Sequence, residues 1–341
     1  MKIHLFLFFL FSFGLVAWIE SKNLVFIKPK EWPTPVYDFS KNPLSNARIE
    51  LGRALFYDPI LSRNNQVSCA NCHLSFTAFT HVDHALSHGI EDRVGTRNSP
   101  VLINLAWNKS FMWDGSINHL DMQALAPISH PSELDEKIEN VVLKLRKSQI
   151  YPKLFFNAFA DSSISGEYTL KAISQFLLTL VSANSRYDSM VRKQISFVGQ
   201  EINGYRIFKQ NCNSCHVEPL FTNQSFENNG LAMDSNLKDL GRMKITNRSA
   251  DSLKFKVPTL RNIEFSQPYM HDGRFKKLRQ VIKHYASGIQ KGPTLSGQLN
   301  QKIDITPDEQ ADLIAFLLTL SDKTFLFDPK HGYPKHILSK N

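Results

Sequence analysis

The chain has 341 residues, of which 42% are hydrophobic and 21% charged, a composition typical of a globular protein with two domains of ordinary size. Its formal net charge of +9 suits either an acidic partner or a solvated basic surface. Because the sequence has no cluster of lysine and arginine interleaved with aromatic residues, it argues against nucleic acid as a partner.

The N-terminal segment is strongly apolar. Residues 3–19, IHLFLFFLFSFGLVAWI, follow Lys2 and are typical of the hydrophobic part of a secretory signal peptide, so residues 1–21 are predicted to direct export and be removed. Trp18 and Ile19 lie where a cleavage site prefers small residues, which leaves an uncleaved N-terminal membrane anchor as the alternative. In both cases we expect the rest of the chain in the periplasm.

Two short cysteine motifs carry the strongest chemical signal. Residues 69–73 are Cys-Ala-Asn-Cys-His and residues 212–216 are Cys-Asn-Ser-Cys-His, and together they use all four cysteines. This spacing lets two thiols form thioethers with the vinyl groups of one haem while the next residue, a histidine, binds its iron. A redox-active dithiol or a shared structural zinc would not require those histidines. The motifs therefore predict two c-type haems, attached at Cys69, Cys72, Cys212 and Cys215.

An internal repeat surrounds the two motifs. Gly-Arg-Ala-Leu-Phe at 52–56 and Gly-Tyr-Arg-Ile-Phe at 204–208 precede them, and Phe-Leu-Leu-Thr-Leu follows them, at 176–180 and again at 316–320. The repeat predicts an amphipathic helix before each haem motif and a closing helix after it. The last of these helices is predicted to begin at Thr-Pro-Asp-Glu, residues 306–309, which has the sequence of a capping box.

The repeat also predicts the fold class, since alternating strand patterns are scarce. We expect an all-α protein made of two cytochrome c-like domains with long haem-wrapping loops. The boundary is placed after residues 185–188, which gives an N-terminal domain over 22–195 and a C-terminal domain over 196–341.

Six further segments are distinctive: LGRALFYD at 51–58, RNSP at 97–100, FMWDG at 111–115, HPSE at 130–133, VPTLRN at 257–262 and PYMHDG at 268–273. Together with the haem motifs, they make the chain resemble the bacterial di-haem cytochrome c peroxidases and the related methylamine-utilisation di-haem enzymes. The resemblance runs from Asn46 to Asp322.

The resemblance implies a division of labour between the haems. In that family peroxide reacts at the N-terminal haem, and the C-terminal haem passes electrons to it. His73 and His216 match the proximal iron ligands. Glu133 matches the acidic residue over the peroxide site, where a carboxyl group can move a proton from the inner oxygen of peroxide to the departing one. Without the resemblance, Glu133 would be interpreted as a solvated glutamate after Pro131.

Other positions match by the same resemblance. Gln123 and Pro127 match residues that line the peroxide pocket, and Trp113 matches an aromatic residue that relays electrons between the haems. Amide and carbonyl oxygens are suitable ligands for calcium. The positions that match a calcium site between the domains are Asn98, Ser266 and Pro268.

The loop before Asn98 departs from peroxidases that must first be reduced. In those enzymes a removable histidine occupies the position where this chain has Ile90, and an alkyl side chain cannot bind iron. The N-terminal haem is therefore predicted to be five-coordinate and open to peroxide. A local shift of the loop could instead bring His88 to the metal, and His81 and His84 have no assigned role.

The second departure concerns the sixth ligand of the C-terminal haem. Peroxidases place methionine there, whereas the spacing from Leu278 reaches Tyr285, and the methylamine-utilisation enzymes also have tyrosine at this position. A hard oxygen ligand favours the higher oxidation states of iron. Tyr285 is the predicted ligand, and His284 and Met270 are the alternatives.

Two classes of function follow from the resemblance. The first is an exported peroxidase that reduces hydrogen peroxide with electrons from a small cytochrome or cupredoxin. The second is a peroxide-driven oxidase that withdraws electrons from residues of a docked protein, and it is favoured by Tyr285 and Ile90. A non-catalytic electron carrier fits poorly with an open N-terminal haem beside Glu133.

Haem content tests the motifs directly. The protein, expressed with a c-type cytochrome maturation system, should retain two haems per chain after acid–acetone extraction, because thioethers survive that treatment. Pyridine haemochrome analysis gives the stoichiometry, and the Cys212→Ala/Cys215→Ala double variant should retain one haem. One haem or none in the parent protein would contradict the prediction.

Overall fold

The computed structural model describes residues 24–339, which form a mostly helical protein. Its α-helices in chain order are α1 (Asn46–Tyr57), α2 (Cys69–Cys72), α3 (Leu120–Gln123), α4 (Leu125–Ser129), α5 (Ile138–Lys147), α6 (Tyr151–Phe159), α7 (Gly166–Thr179), α8 (Arg186–Val191), α9 (Gly199–Asn211), α10 (Met243–Thr246), α11 (Leu278–Lys283), α12 (Pro307–Leu318), α13 (Lys323–Leu326) and α14 (Lys335–Leu338). The predicted signal peptide or anchor, residues 1–21, lies outside the described residues.

Strand structure is confined to one small antiparallel sheet in the described range. Strand β1 (Phe226–Glu227) pairs with β2 (Phe255–Lys256), with Phe226 opposite Lys256. The predominantly helical class is thus confirmed, whereas a haem-wrapping role for the long stretches between helices stays a prediction. Between residues 24 and 339 no helix has both the length and the apolar character needed to cross a membrane.

Three of the long helices, α1, α7 and α12, begin at side-chain caps. The capping box predicted for α12 is confirmed, because the Thr306 hydroxyl accepts a hydrogen bond from the Glu309 amide (3.2 Å) and the Glu309 carboxylate accepts one from the Thr306 amide (2.9 Å). Pro307 occupies the first turn, where no donor is lost. Ser45 and Ser165 cap α1 and α7 through their hydroxyls.

The two copies of the repeat pack their helices in the same way. Helix α1 crosses α7 at Gly52, and α9 crosses α12 at Gly204. These glycines occupy the same position in the segments that precede the two haem motifs. A Cβ atom on Gly52 would lie 1.8 Å from the carbonyl oxygen of Ala172, and one on Gly204 would lie 1.9 Å from that of Asp312. Only glycine allows the backbones to approach this closely, so the repeated glycines determine both crossings.

Two hydrophobic cores surround these crossings. Phe56 and Phe176 lie in the first core, and Phe208 and Phe316 lie in the second. The division of the chain at residues 195 and 196 stays a prediction. After the second core the chain returns, because side chains between residues 325 and 338 pack into the first core.

Adding a methyl group at either crossing should destabilise the protein. Alanine has the higher helix propensity, by about 1 kcal/mol, but Gly52→Ala and Gly204→Ala force a carbonyl oxygen to move. We expect each to lower the free energy of unfolding by about 1–3 kcal/mol, as overpacking does. Denaturant unfolding followed by circular dichroism measures this change.

The matched control is Gly292→Ala, because a Cβ atom there meets no other atom within 4 Å. This variant should unfold as the parent protein does. If all three variants have the same free energy of unfolding, the close approach of the helices at Gly52 and Gly204 does not contribute to stability.

Candidate functional site

The first haem motif presents two buried thiols and a neutral imidazole. Helix α2 carries the thiols, and burial raises the pKa of Cys69 to about 12 and that of Cys72 to about 11. Nδ1 of His73 lies 2.6 Å from the carbonyl oxygen of Phe79, to which it must donate, since a carbonyl only accepts. Burial lowers the pKa of His73 to about 4, so the ring is neutral and Nε2 retains its lone pair. These groups fit a covalently attached haem with His73 on its iron.

The second motif repeats this arrangement. Cys212 directly follows α9 and caps it, with its amide bonded to the carbonyl oxygen of Phe208 (2.8 Å). Nδ1 of His216 donates to the carbonyl oxygen of Phe221 (3.1 Å), and burial lowers the pKa of His216 to about 4. Burial also raises the pKa of the Cys215 thiol. The donor set again fits a c-type haem.

A large cavity adjoins the second motif and extends to the N-terminal domain. The cavity is partly open to solvent. Its walls are mostly apolar, as a haem requires. Its lining brings together nine of the predicted site residues: Cys212, Cys215, His216, Tyr285, Trp113, Gln123, Asn98, Ser266 and Pro268.

Tyr285 and Met270 both line this cavity, whereas His284 is turned aside. Tyr285 lies in a short π-helical turn that continues α11, and burial raises the pKa of its hydroxyl to about 12. Nε2 of His284 is engaged with the carbonyl oxygen of Asn229 (3.0 Å). The side-chain amide nitrogen of Asn229 lies 3.5 Å from both the Tyr285 hydroxyl and the Met270 sulfur. The geometry disfavours His284 as a ligand, and Tyr285 as the ligand stays a prediction.

Trp113 lies where the two domains meet. Its indole nitrogen donates to the carbonyl oxygen of Asn98 (2.8 Å), and its own carbonyl oxygen accepts a hydrogen bond from the amide of Lys256 (2.7 Å) in β2. The side chain is therefore fixed by the N-terminal domain and its backbone by the C-terminal one. This position suits the predicted relay.

Glu133 lies in a turn packed against Gly89 and Ile90, in the loop that follows the first haem motif. The amide of Ile90 donates to the carbonyl oxygen of Glu133 (2.7 Å), and a Cβ atom on Gly89 would lie 2.5 Å from the Glu133 Cα atom. Burial raises the pKa of the Glu133 carboxyl, and the His130 ring, 3.9 Å away, opposes this. The carboxylate in turn raises the pKa of the Cys72 thiol, second to burial. A carboxyl group that is protonated more readily than usual thus lies near the first haem motif.

Gln123 and Pro127 lie on different sides of this region. Gln123 lines the large cavity, with its amide nitrogen 4.0 Å from the sulfur of Met112. The carbonyl oxygen of Pro127 accepts a hydrogen bond from the amide of Leu134 (3.1 Å) and so supports the turn of Glu133. The structure therefore groups Gln123 with Trp113 and Pro127 with Glu133.

The predicted calcium ligands belong to the cavity lining. Asn98, Ser266 and Pro268 all line the cavity, and the Asn98 side-chain amide donates to the carbonyl oxygen of Ala85 (3.0 Å). Within residues 24–339 no group of three or more His, Cys, Asp or Glu residues is placed to hold a metal ion. A site made of amide and carbonyl oxygens stays a prediction.

Ile90 is fully buried, and the histidines beside it are engaged elsewhere. Nδ1 of His88 lies 2.7 Å from the carboxylate of Asp92. The rings of His81, His84 and His88 stack in a row, with centroids 5.1 and 4.2 Å apart. The structure thus supports an N-terminal haem without a histidine from this loop as its second ligand.

Sequence reasoning missed Arg261, which supports the second histidine. Arg261 is fully buried and forms a bidentate pair with Asp188, both distances being 2.9 Å. Its Nε donates to the carbonyl oxygen of Pro219 (2.8 Å), two residues before the Phe221 carbonyl that holds His216. The sequence signal for Arg261 was its place in the distinctive VPTLRN segment, but that segment does not indicate that Arg261 pairs with Asp188.

The comparisons with known proteins agree with this geometry. Residues 46–196 match the di-haem cytochrome c peroxidase family, and residues 202–321 match cytochrome c. The chain is 36% identical to the methylamine utilization protein MauG of Methylorubrum extorquens, over 86% of this chain and 83% of that protein. It is 32% identical to cytochrome c551 peroxidase of Nitrosomonas europaea, over 80% of this chain and 79% of that protein.

A solved structure shares the whole architecture. The crystal structure of a MauG-like protein associated with microbial copper homeostasis superposes with a TM-score of 0.83 at 31% identity, over 91% of this chain and 99% of that one. Two cytochrome c-type domains, each with its haem motif, define a di-haem c-type oxidoreductase. The chain belongs to the di-haem cytochrome c peroxidase family, which confirms the resemblance seen in the sequence.

The state of the N-terminal haem tests the placement of the loop. Since Ile90 cannot bind iron and His88 bonds Asp92, this haem should be high-spin in the fully oxidised protein and should react with peroxide without prior reduction. His88→Ala should leave the electron paramagnetic resonance spectrum unchanged. A low-spin bis-histidine signal that disappears in His88→Ala would show that the loop shifts when haem is bound.

Proposed function

We propose that the protein is an exported, periplasmic peroxidase that reduces hydrogen peroxide at the N-terminal haem. The observation that carries this proposal is the Glu133 carboxyl, whose pKa is raised by burial and which lies near the first haem motif, beside Ile90. The haem, when bound, supplies the iron that accepts peroxide and the electrons that cleave its O–O bond.

The chain itself supplies the proton movements. The Glu133 carboxylate takes the proton of the inner peroxide oxygen and gives it to the departing oxygen, which leaves as water. Overall, two protons and two electrons convert one hydrogen peroxide to two waters. Pro127 supports the turn of Glu133, whereas Gln123 lines the large cavity together with Trp113.

The electrons are proposed to come from a small cytochrome or cupredoxin. His216 would hold the C-terminal haem, which would accept these electrons, and Trp113, which bonds to both domains, is the proposed relay toward the other haem. A calcium ion at Asn98, Ser266 and Pro268 would stiffen the same junction.

The alternative is a peroxide-driven oxidase that modifies residues of a partner protein. One observation favours it: Tyr285 lines the second haem cavity and presents a buried hydroxyl there. An oxygen ligand stabilises oxidised iron, which suits withdrawal of electrons from a partner better than their delivery. Similarity to both MauG and cytochrome c551 peroxidase is compatible with either reaction.

Replacing Glu133 tests the peroxidase proposal. Glu133→Gln keeps the size of the side chain but cannot accept the proton, so the reaction with hydrogen peroxide should slow by roughly 10²–10⁴-fold. Because the base form is lost as pH falls through the raised pKa, the rate in the parent protein should fall at acid pH, and the variant should lack this dependence. Stopped-flow absorption measures both.

Glu139→Gln is the control, since that carboxylate is exposed on α5 and should not affect the reaction. If Glu133→Gln reacts with peroxide as fast as the control does, Glu133 does not carry the proton in this reaction.

Replacing Tyr285 separates the two reactions. If its oxygen binds the second iron, Tyr285→Met should raise the potential of that haem, since methionine favours ferrous iron. Peroxide decomposition should survive, whereas oxidation of a partner protein should fail. Tyr269→Phe, which alters another tyrosine of the same cavity, is the control in the redox titration. A wild-type spectrum typical of histidine–methionine ligation would eliminate Tyr285 as the ligand.

A further inference from the structure

One cation of the cavity lining has no side-chain partner among the residues that the structure describes. Lys256 lies on β2 and lines the cavity, and its amide donates to the carbonyl oxygen of Trp113 (2.7 Å). Among residues 24–339, its Nζ atom has neither a hydrogen bond nor a carboxylate within 4.0 Å. No other lysine or arginine of the described range lines the cavity.

The surroundings of Lys256 leave its charge unbalanced. Burial lowers the pKa of Lys256 to about 8, with no charged neighbour contributing. Glu227 is the acidic residue of the described cavity lining, and its backbone pairs with Phe255 in the sheet. Its carboxylate accepts a hydrogen bond from the Ser225 hydroxyl (2.9 Å) and lies more than 4.0 Å from the Lys256 Nζ atom. His271, also in the lining, has its pKa lowered to about 4 by burial and is neutral. Lys256 is half-buried, and a cation largely removed from water is stabilised by a partner of opposite charge, which a carboxylate from elsewhere would supply.

We propose that the Nζ atom of Lys256 binds a propionate carboxylate of the haem attached at Cys212 and Cys215. The cavity lined by Cys212, Cys215 and His216 would hold that cofactor, which carries two carboxylates, and Lys256 is the lysine of this lining within the described residues. Because the backbone of Lys256 is bonded to Trp113, the ion pair would also fix this edge of the haem relative to the indole. The proposal rests on a haem at the second motif and does not depend on the peroxidase reaction.

Loss of the ammonium group should change the potential of the C-terminal haem. Without it, the negative propionate is left uncompensated near the iron and stabilises the ferric form. Lysine therefore acts here as a positioning and charge-balancing residue.

The experiment compares Lys256→Met, Lys256→Arg and the control Lys254→Met. Lys254 precedes β2 in the same segment but pairs with Asp251 (3.6 Å) outside the cavity lining. Spectroelectrochemical titration of each holoprotein at pH 7 gives the potential of each haem. We expect Lys256→Met to shift the equilibrium of the C-terminal haem at least tenfold toward ferric iron, which is about 59 mV for one electron. Lys256→Arg should restore the parent value, and Lys254→Met should leave it unchanged.

Pyridine haemochrome analysis first establishes two haems in every variant, so a failure of haem attachment is recognised separately. If Lys256→Met does not fold, Lys256→Gln removes the same charge and carries the same expectation. An unchanged potential in the charge-removing variant would overturn the proposal. So would a lowered potential that Lys256→Arg does not restore, because the ammonium charge would then not be its cause.

Discussion

Both haem sites depend on one hydrogen bond, from Nδ1 of the proximal histidine to the carbonyl oxygen of a phenylalanine. This bond fixes the tautomer and the ring plane, so that Nε2 is left for iron. Phe79 and Phe221 provide the carbonyls from backbones with φ of 58° and 54°, a region that costs energy for any residue other than glycine. The surrounding structure must therefore hold each phenylalanine in place.

The two domains meet this requirement differently. Phe79 lies against Phe325 and His331 from the end of the chain, with ring centroids 6.2 Å away in each case. The loop of Phe221 is held instead by Arg261, whose guanidinium also stacks on Trp32 of the first core at 4.5 Å. The two domains repeat the helix pair, but the carbonyl that binds the proximal histidine is held by ring contacts in the first domain and by Arg261 in the second.

Local features of the site could be predicted from the sequence, and distant contacts could not. The haem motifs and the capping box at residues 306–309 each depend on neighbours within a few residues, and the repeated helices follow from their periodicity. The pairing of Arg261 with Asp188 joins residues far apart in the chain, and nothing in either segment specifies the other. The place of Asn229 beside Tyr285 depends likewise on how two loops pack, which periodicity does not encode.

The return of residues 325–338 to the first core has a consequence for the order of assembly. Arg53 and Tyr57 of α1 donate hydrogen bonds to the carbonyl oxygens of Gly332 and His331, at 2.9 and 2.6 Å. The ribosome makes those partners only after both cysteine motifs have been synthesised. The core of the first domain therefore stays open at one side until this last segment packs against Phe79.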